Sequence, residues 1–460
     1  MSRYKPSRYI HTTEVSGAGR LFFNFYTLRL LELTTREGST ADSLLREPDP
    51  PRLASGRKRL RKLLVDNGFL IPERASEIAT LRRSRILSRA AGGSLNITVI
   101  PSLACNFRCT YCYEHHSTRR MSEKTRSAVA RLVQRNVARD GSLSVTWFGG
   151  EPLLELACID SLSKVFRAHC EKMNARYRSD IVTNGYLLDG KTARHLHRLG
   201  ITHAQVTLDG TREIHDSRRP LAGGGETFQT VLDNIKSASE ILSLAVRINV
   251  DQSNRNSVPV LLRELKDHGL ASRVQPYLGQ TYPYNEVCAG GASACLGDAD
   301  FSLLALETEW DMFTGGFGSY RIPRSRNTAC IADSPRCAVI TPDGGVVRCW
   351  NNAADKDALT GHLTKPVTRA MQQREKQWFS RDPFAVECRD CILLPICMGG
   401  CPYIFFKTGK PHCHPWKHHL DESLAFYYLL KKGERQTEIG RAFSDLVGAV
   451  RERAATDSPD

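Results

Sequence analysis

Cys105, Cys109 and Cys112 stand in the run Cys105-Asn-Phe-Arg-Cys109-Thr-Tyr-Cys112, a C-x3-C-x2-C spacing with no fourth cysteine close behind. A loop this tight brings three thiolates to one face of a pocket. On a 4Fe–4S cluster three thiolates leave one iron without a protein ligand, and an open iron is where a substrate or cosubstrate binds. Zinc is the competing occupant, although it usually takes C-x2-C pairs with a distant second pair. The last third of the chain carries eight further cysteines: Cys330-x6-Cys337-x11-Cys349, then Cys388-x2-Cys391-x5-Cys397-x3-Cys401, then Cys413. Eight thiolates divide evenly into two closed sites, for iron–sulfur clusters or for zinc, and His412 and His414 beside Cys413 are available to zinc. Cys158 and Cys170 fall in a helical pattern and read as core residues. Cys288 and Cys295, in a Gly/Ala-rich loop, read as plain loop residues.

The elements that must position these groups alternate regularly between about 94 and 280. Candidate strands are Leu95–Ser102, Leu143–Gly149, Arg178–Asn184, His203–Gly210, Ala245–Asp251 and Ser272–Gly279, with helical patterns near 121–139, 152–174, 189–199, 226–242 and 257–269. Six strands separated by helices imply an α/β architecture, a parallel sheet curved into a partial (β/α)6 TIM-like barrel, whose function gathers at the carboxyl ends of the strands. Before it, residues 1–90 read as a separate module. Strands at Arg8–Val15 and Arg20–Leu28, helices at Ala41–Arg46 and Arg57–Asn67, and an extended piece after Gly68 suit a winged-helix-like domain.

Polar motifs fall at the strand ends. The second strand closes with Gly149-Gly150-Glu151-Pro152, where two glycines allow close backbone approach to a ligand and Glu151 adds a carboxylate. The third ends at Thr183-Asn184-Gly185 and the fourth at Thr207-Leu-Asp209-Gly210. On the fifth, Arg247, Asn249 and Asp251 share one face by the period of two. Tyr277 and Gln275 mark the sixth. An arginine in the stretch Ile214-His-Asp-Ser-Arg218-Arg219-Pro220 could clasp a carboxylate bidentately, with Arg219 preferred over Arg218.

The run Cys-Asn-Phe-Arg-Cys-Thr-Tyr-Cys-Tyr-Glu resembles the cluster loop of the radical S-adenosylmethionine (SAM) enzymes, and the Gly-Gly-Glu-Pro turn resembles their SAM-binding motif. The resemblance implies that SAM chelates the open iron through its amino and carboxylate groups and that one electron cleaves it to methionine and a 5′-deoxyadenosyl radical. It places Tyr111 beside the adenine. It gives Gly149, Gly150 and Glu151 to the amino group, through backbone carbonyls and the acid. Thr183, Asn184 and Thr207 would serve the ribose or carboxylate, Arg219 the carboxylate, and Asn249 the adenosine. The stretch from Leu208 to Pro220 resembles the sulfatase-maturase and peptide-maturase branch. The C-terminal cysteines resemble a SPASM domain with two auxiliary 4Fe–4S clusters, one on Cys330, Cys337, Cys349 and Cys401, the other on Cys388, Cys391, Cys397 and Cys413. The implied division is 1–90 leader-peptide recognition, 91–285 radical SAM barrel, 286–425 SPASM domain and 426–460 a helical tail.

With three clusters bound, the formal charge of +15 falls to roughly +10. The basic residues are scattered without a basic–aromatic stripe, so nucleic acid is an unlikely partner. No run of 18 apolar residues exists to span a membrane, and fifteen cysteines with no signal segment suit cytoplasmic metal or redox chemistry. The resemblance implies a maturase that crosslinks a ribosomally made peptide bearing a leader sequence, with flavodoxin or ferredoxin as the low-potential electron donor. Two alternatives are an anaerobic sulfatase maturase and a non-catalytic iron–sulfur scaffold. Sulfatase maturases place an Asp directly after the third SPASM cysteine, where this chain has Trp350. A retired scaffold would be expected to have lost part of the cluster loop or the Gly-Gly-Glu turn, and both are intact.

Overall fold

A computed structural model describes residues 3–15, 19–90, 92–283, 294–318, 323–432 and 448. The chain opens with β1 (Tyr4–Pro6) and an antiparallel meander of β2 (Ile10–Val15), β3 (Gly19–Asn24) and β4 (Arg29–Leu33). Helices α1 (Thr35–Arg46) and α2 (Ser55–Asp66) follow, and β5 (Leu70–Pro72) returns to pair with β1. Phe22, Leu44, Leu60, Leu64 and Phe69 form the core of this module.

Two boundaries differ from expectation. The strand read as far as Leu28 stops at Asn24, whose Oδ1 accepts from the backbone N–H of Tyr26 (2.8 Å) and Thr27 (3.1 Å). With Leu28 at φ 58°, the chain turns back as β4. The first helix starts at Thr35 rather than Ala41, because Thr34 and Glu37 make a capping box. An unforeseen helix, α3 (Glu77–Ala90), then leads toward the barrel.

The middle of the chain runs β6 (Ser94–Val99), a hairpin of β7 (Ser102–Leu103) and β8 (Ser117–Arg120), α4 (Glu123–Asn136), β9 (Ser142–Trp147), α5 (Leu156–Lys172), β10 (Arg176–Val182) and α6 (Gly190–Arg198). It continues with β11 (Ile201–Thr207), α7 (Arg212–Arg218), α8 (Phe228–Ala238), β12 (Ser243–Val250), α9 (Val258–Asp267) and β13 (Val274–Gln280). The six strands β6 and β9–β13 are parallel neighbours in chain order, as the alternating pattern requires. On β9 Leu143, Val145 and Trp147 pack outward with Phe166 of α5, while Ser144 and Thr146 point the other way. The inner face is polar, with Thr146 Oγ1 donating to Asp180 at 2.8 Å and Tyr277 donating to Gln205. Cys158 and Cys170 are buried in the outer core, as expected.

The remainder comprises α10 (Asp298–Gly315), β14 (Cys337–Ile340), β15 (Gly345–Val347), β16 (Gly361–His362), α11 (Arg369–Ser380), the short helices α12 (Val386–Arg389), α13 (Leu394–Cys397) and α14 (Pro402–Thr408), and α15 (Leu420–Lys432). β14 lies parallel to β6, and β15 and β16 extend the sheet antiparallel, so the sheet is mixed and has nine strands. Helix α15 crosses the start of the expected tail at 426, since Leu424, Tyr427 and Leu429 are all buried; residues 433–447 and 449–460 lie outside the described residues. The N-terminal module packs on this region: Tyr9, Phe23, Phe25 and Leu81 share one core with Phe384, Leu394 and Trp416. No described helix is long and apolar enough to cross a membrane.

Candidate functional site

The cysteine loop leaves β7 and docks on the segment that follows α7. Arg108 N donates to Pro220 O (2.8 Å), Thr110 N to Arg218 O (2.9 Å) and Ala222 N to Asn106 O (2.7 Å). Phe107, fully buried, pins the loop edge-on against Tyr186. Cys105 Sγ accepts from Phe107 N at 3.4 Å, and Cys112 Sγ lies 3.8 Å from His116 Nε2. Burial pushes the Cys105 and Cys112 thiols up to about 12. Thiols in such a place stay protonated until a cationic metal group binds the sulfur and displaces the proton to solvent. The Arg219 guanidinium near Cys109 adds a second source of positive charge.

The Gly-Gly-Glu turn is packed tightly against the cysteine loop. A Cβ on Gly149, whose φ is +132°, would sit 2.3 Å from Ser102 O, and one on Gly150 would sit 2.5 Å from Ala104 O. The missing side chains of both glycines therefore make room for the backbone of the cysteine loop. Glu151 is fully buried. Its Oε1 accepts from Leu153 N (2.9 Å) and Thr183 Oγ1 (2.8 Å), and its Oε2 from Asn184 N (2.7 Å). The acid is the hub that joins the ends of β9 and β10. Burial pushes its carboxyl up, against the pull of those three donors. Asn184 passes the connection on, its Nδ2 donating to Asn106 Oδ1 at 2.8 Å.

Opposite this hub, Tyr111 donates to Asp209 Oδ2 and accepts from Arg219 Nη1 and from Asn249 Nδ2 (3.0 Å). Asn249 Oδ1 accepts from Arg247 Nε at 2.7 Å. Thr207, buried at the end of β11, stands opposite Arg247 in register. Gathered around the cysteine loop are thus Tyr111, Glu151, Thr183, Asn184, Arg219 and Asn249. Arg218 and Arg219 divide their work. Arg218 Nη1 is held by Asp251 Oδ2 (2.7 Å) and Ser253 Oγ (2.8 Å), whereas Arg219 hydrogen-bonds Tyr111; the buried Nε of each has no hydrogen-bond partner among the described residues. Burial works against the charge of Arg219, but Cys109, Tyr111 and Asp209 outweigh it and hold the guanidinium charged.

Asp209 is the residue that sequence reasoning passed over. It is fully buried, accepts from Tyr111 and from Asn249 N (2.9 Å), and has His215 Nδ1 behind its own N–H at 3.3 Å. Its place at a strand end beside Gly210 was the available signal. Of the sixth-strand residues, Gln275 is exposed and Tyr277 faces inward. Cys295 accepts from Thr281 Oγ1 at 3.9 Å, and Cys288 lies outside the described residues.

The C-terminal cysteines fall into two neighbourhoods. Cys330, Cys337, Cys349 and Cys401 lie close enough that burial and one another's charge push Cys330 and Cys349 up. Cys388 feels Cys397, Cys391 and Cys413 in the same way. All fourteen described cysteines are free of disulfides. Trp350 stacks on Phe148 with ring centroids 4.9 Å apart, so the chain just after Cys349 touches the strand end just before Gly149. Among the described residues no three His, Cys, Asp or Glu side chains converge on a single-ion site.

A parallel α/β barrel whose first strand delivers three cysteines to a pocket of buried polar strand ends defines a class of cluster-dependent enzymes. Residues 99–251 match the radical SAM superfamily, and the chain carries a radical SAM domain there. The cysteine-type anaerobic sulfatase-maturating enzyme of Clostridium perfringens is 26% identical over 336 residues, covering 67% of this chain and 88% of that protein. The sporulation killing factor maturation protein SkfB of Bacillus subtilis is 26% identical over 168 residues, 36% of this chain and 38% of that protein. In fold, the solved structure of anSMEcpe with bound AdoMet matches with a TM-score of 0.57 at 20% identity, over 76% of this chain and 98% of that one. The chain thus carries a radical SAM domain over residues 99–251, a domain that implies a 4Fe–4S cluster and SAM, and over two thirds of its length it is similar to an anaerobic sulfatase maturase.

Proposed function

We propose that this chain modifies a residue of a ribosomally made peptide by radical SAM chemistry, forming a thioether or carbon–carbon crosslink. The observation that carries the reading is the pairing of an intact three-cysteine loop with two separate groups of four cysteines. Cys105, Cys109 and Cys112 would hold the SAM-binding cluster. Cys330, Cys337, Cys349 and Cys401 would hold one auxiliary 4Fe–4S cluster, and Cys388, Cys391, Cys397 and Cys413 the other. Ligands of a four-iron cluster each take a separate iron, whereas zinc needs four sulfurs at roughly 2.3 Å from a single centre.

When bound, SAM supplies a 5′-deoxyadenosyl radical once a low-potential donor such as flavodoxin or ferredoxin delivers an electron. The chain's own residues bind and orient. The unpartnered Arg219 Nε is placed to take a carboxylate, and Tyr111 keeps that guanidinium aimed. Glu151, which accepts from Leu153 N, Thr183 Oγ1 and Asn184 N, ties the ends of β9 and β10 together, and its carboxylate with the carbonyls of Gly149 and Gly150 would receive the SAM amino group. Thr207 would serve the ribose or the carboxylate and Asn249 the adenosine, and the polar inner face around Asp180, Gln205 and Tyr277 would accept the peptide residue. Residues 1–90 would hold the leader sequence as a winged-helix-like domain.

Sulfatase maturation is the second reading, favoured by the long match to the Clostridium perfringens enzyme. Against it, position 350 offers an indole stacked on Phe148 and no carboxylate. One experiment tests the proposal: iron, sulfide and zinc per chain after anaerobic reconstitution, followed by turnover with the cognate peptide. About twelve irons and loss of two hydrogens from the peptide support it. About four irons with bound zinc would remove the auxiliary clusters, and formylglycine in a sulfatase peptide would replace this reading with the second.

A further inference from the structure

Three buried arginines meet at one carboxylate beside the Cys330, Cys337, Cys349 and Cys401 group: Arg85, Arg348 and Arg381, only 5%, 3% and 7% exposed; Arg348 reaches Cys337 itself, while Arg381 lies toward the second group, bonded to Gly399 O. One buried carboxylate stands among them. Asp333, 1% exposed, lies 3.4 Å from Arg85 Nη1 and 3.8 Å from Arg381 Nη1. Arg348 wraps the segment that carries the first two cysteines, donating to the carbonyls of Cys337, Ala332 and Ser334. Glu375, which approaches Arg348 to 4.0 Å, is itself half exposed. Arg381 Nη1 and Asp333 Oδ1 find no hydrogen-bond partner among the described residues.

Charge buried in a low dielectric must be balanced close by. Three guanidiniums against one carboxylate leave this interior positive, and Arg348, bonded to the Cys337 carbonyl, carries that charge to the first cysteine group. The second group, Cys388, Cys391, Cys397 and Cys413, is placed otherwise. Its cation is Lys417, whose Nζ donates to Cys413 Sγ at 3.4 Å from an exposed position, where water and salt screen it. Arg381 reaches Cys388 only as a minor influence. A four-iron cluster gains a negative charge when reduced, and net charge is one of the terms that sets its potential.

We propose that the buried arginines hold the Cys330, Cys337, Cys349 and Cys401 cluster at a higher reduction potential than the second auxiliary cluster, so that an electron reaching either one settles on the first. In that transfer the second cluster is oxidised by one electron and the first reduced by one, with no atom moved. The inference rests on both groups being 4Fe–4S clusters.

The test is an EPR-monitored redox titration of the fully reconstituted chain, with iron counted on every sample. Arg348→Met should shift the equilibrium of one auxiliary cluster at least about tenfold toward its oxidised form, about 59 mV for one electron. Asp333→Asn should shift the same cluster the other way, and Arg348→Lys should stay near the parent. The remaining two clusters should not move. Opposite signs separate electrostatic tuning from a merely structural role, which would displace both variants alike. If Arg348→Met fails to load iron, the upward shift in Asp333→Asn decides. Unmoved potentials at full iron content, or shifts of the same sign, overturn the inference. An iron count near four in the parent overturns the cluster reading beneath it instead.

Discussion

Glu151 accepts three hydrogen bonds from three different places, and Glu151→Gln removes one acceptor without changing shape. The amide will turn its oxygen toward Leu153 N and Thr183 Oγ1 and its NH2 toward Asn184 N, so one buried donor faces another. Losing a bond between a buried donor and a charged acceptor costs about 1.5–3 kcal/mol. If that cost falls on the arrangement of the strand ends that binds SAM, affinity drops about 10- to 100-fold at about 1.4 kcal/mol per tenfold. Thr183→Val removes only the hydroxyl's part, about 1 kcal/mol or roughly fivefold, and Thr183→Ser should bind like the parent. Anaerobic equilibrium dialysis of SAM against reconstituted protein measures all three. Iron in the loop should be retained, since the backbone bond from Glu151 N to Ala104 O (2.8 Å) does not involve the side chain. A Glu151→Gln protein that keeps its iron and binds SAM within twofold of the parent would refute the hub argument.

Gly150→Ala forces a methyl to within 2.5 Å of Ala104 O, a backbone contact that cannot yield cheaply, so iron bound at the three-cysteine loop should fall while the eight C-terminal cysteines keep theirs. In iron-free protein at pH 8, alkylation of Cys105 and Cys112 by iodoacetamide should be about a thousandfold slower than that of an ordinary thiol, because a pKa of about 12 leaves roughly one molecule in ten thousand as thiolate. The sign is fixed by the reacting form: each rise of one pH unit below 12 should speed the reaction about tenfold, read by mass spectrometry, and a pH-independent rate contradicts the assignment. Leu81→Ala empties part of the core shared with Phe384 and Leu394, which costs about 2–5 kcal/mol and should expose the 1–90 module to limited proteolysis before the barrel.

The barrel was legible because its strands are short apolar runs between amphipathic helices, and all six occur where that alternation puts them. The N-terminal module was less so. Asn24 looked like an interruption in a strand, yet it closes the turn that ends it. Helix α3 inverts the usual pattern, burying Arg85 while Ile86 and Leu87 stand 65% and 58% exposed. No periodicity rule finds a helix whose buried face is chosen by an ion pair with Asp333, a residue some 250 positions away. At the site, the residue types could be read but their roles could not. Gly149 and Gly150 suggested close backbone approach, and their missing side chains admit the backbone of residues 102–104, a neighbour that only the fold brings there. Asn249 suggested a ligand contact, and the fold engages it with Arg247 and Tyr111.

The attachment of the cysteine-rich region to the barrel gives these contacts a common purpose. β14 pairs with β6 so that Cys337 lies opposite Asn96, on the strand that runs into the three-cysteine loop. Trp350 then stacks on Phe148 at the end of β9, one residue before the glycine turn. The Cys330–Cys401 group is thus fixed to the barrel through two adjacent strands, one hydrogen-bonded and one stacked, rather than tethered by a linker. Sheet pairing resists sliding because a one-residue slip would turn every side chain to the wrong face. The separation between the two cysteine sites is therefore set by strand register, while the stack of Trp350 on Phe148, worth about 0.5–1.5 kcal/mol, fixes the direction in which the segment after Cys349 faces the pocket. If both cysteine groups hold clusters as proposed, a separation fixed by strand register suits the passage of an electron between them.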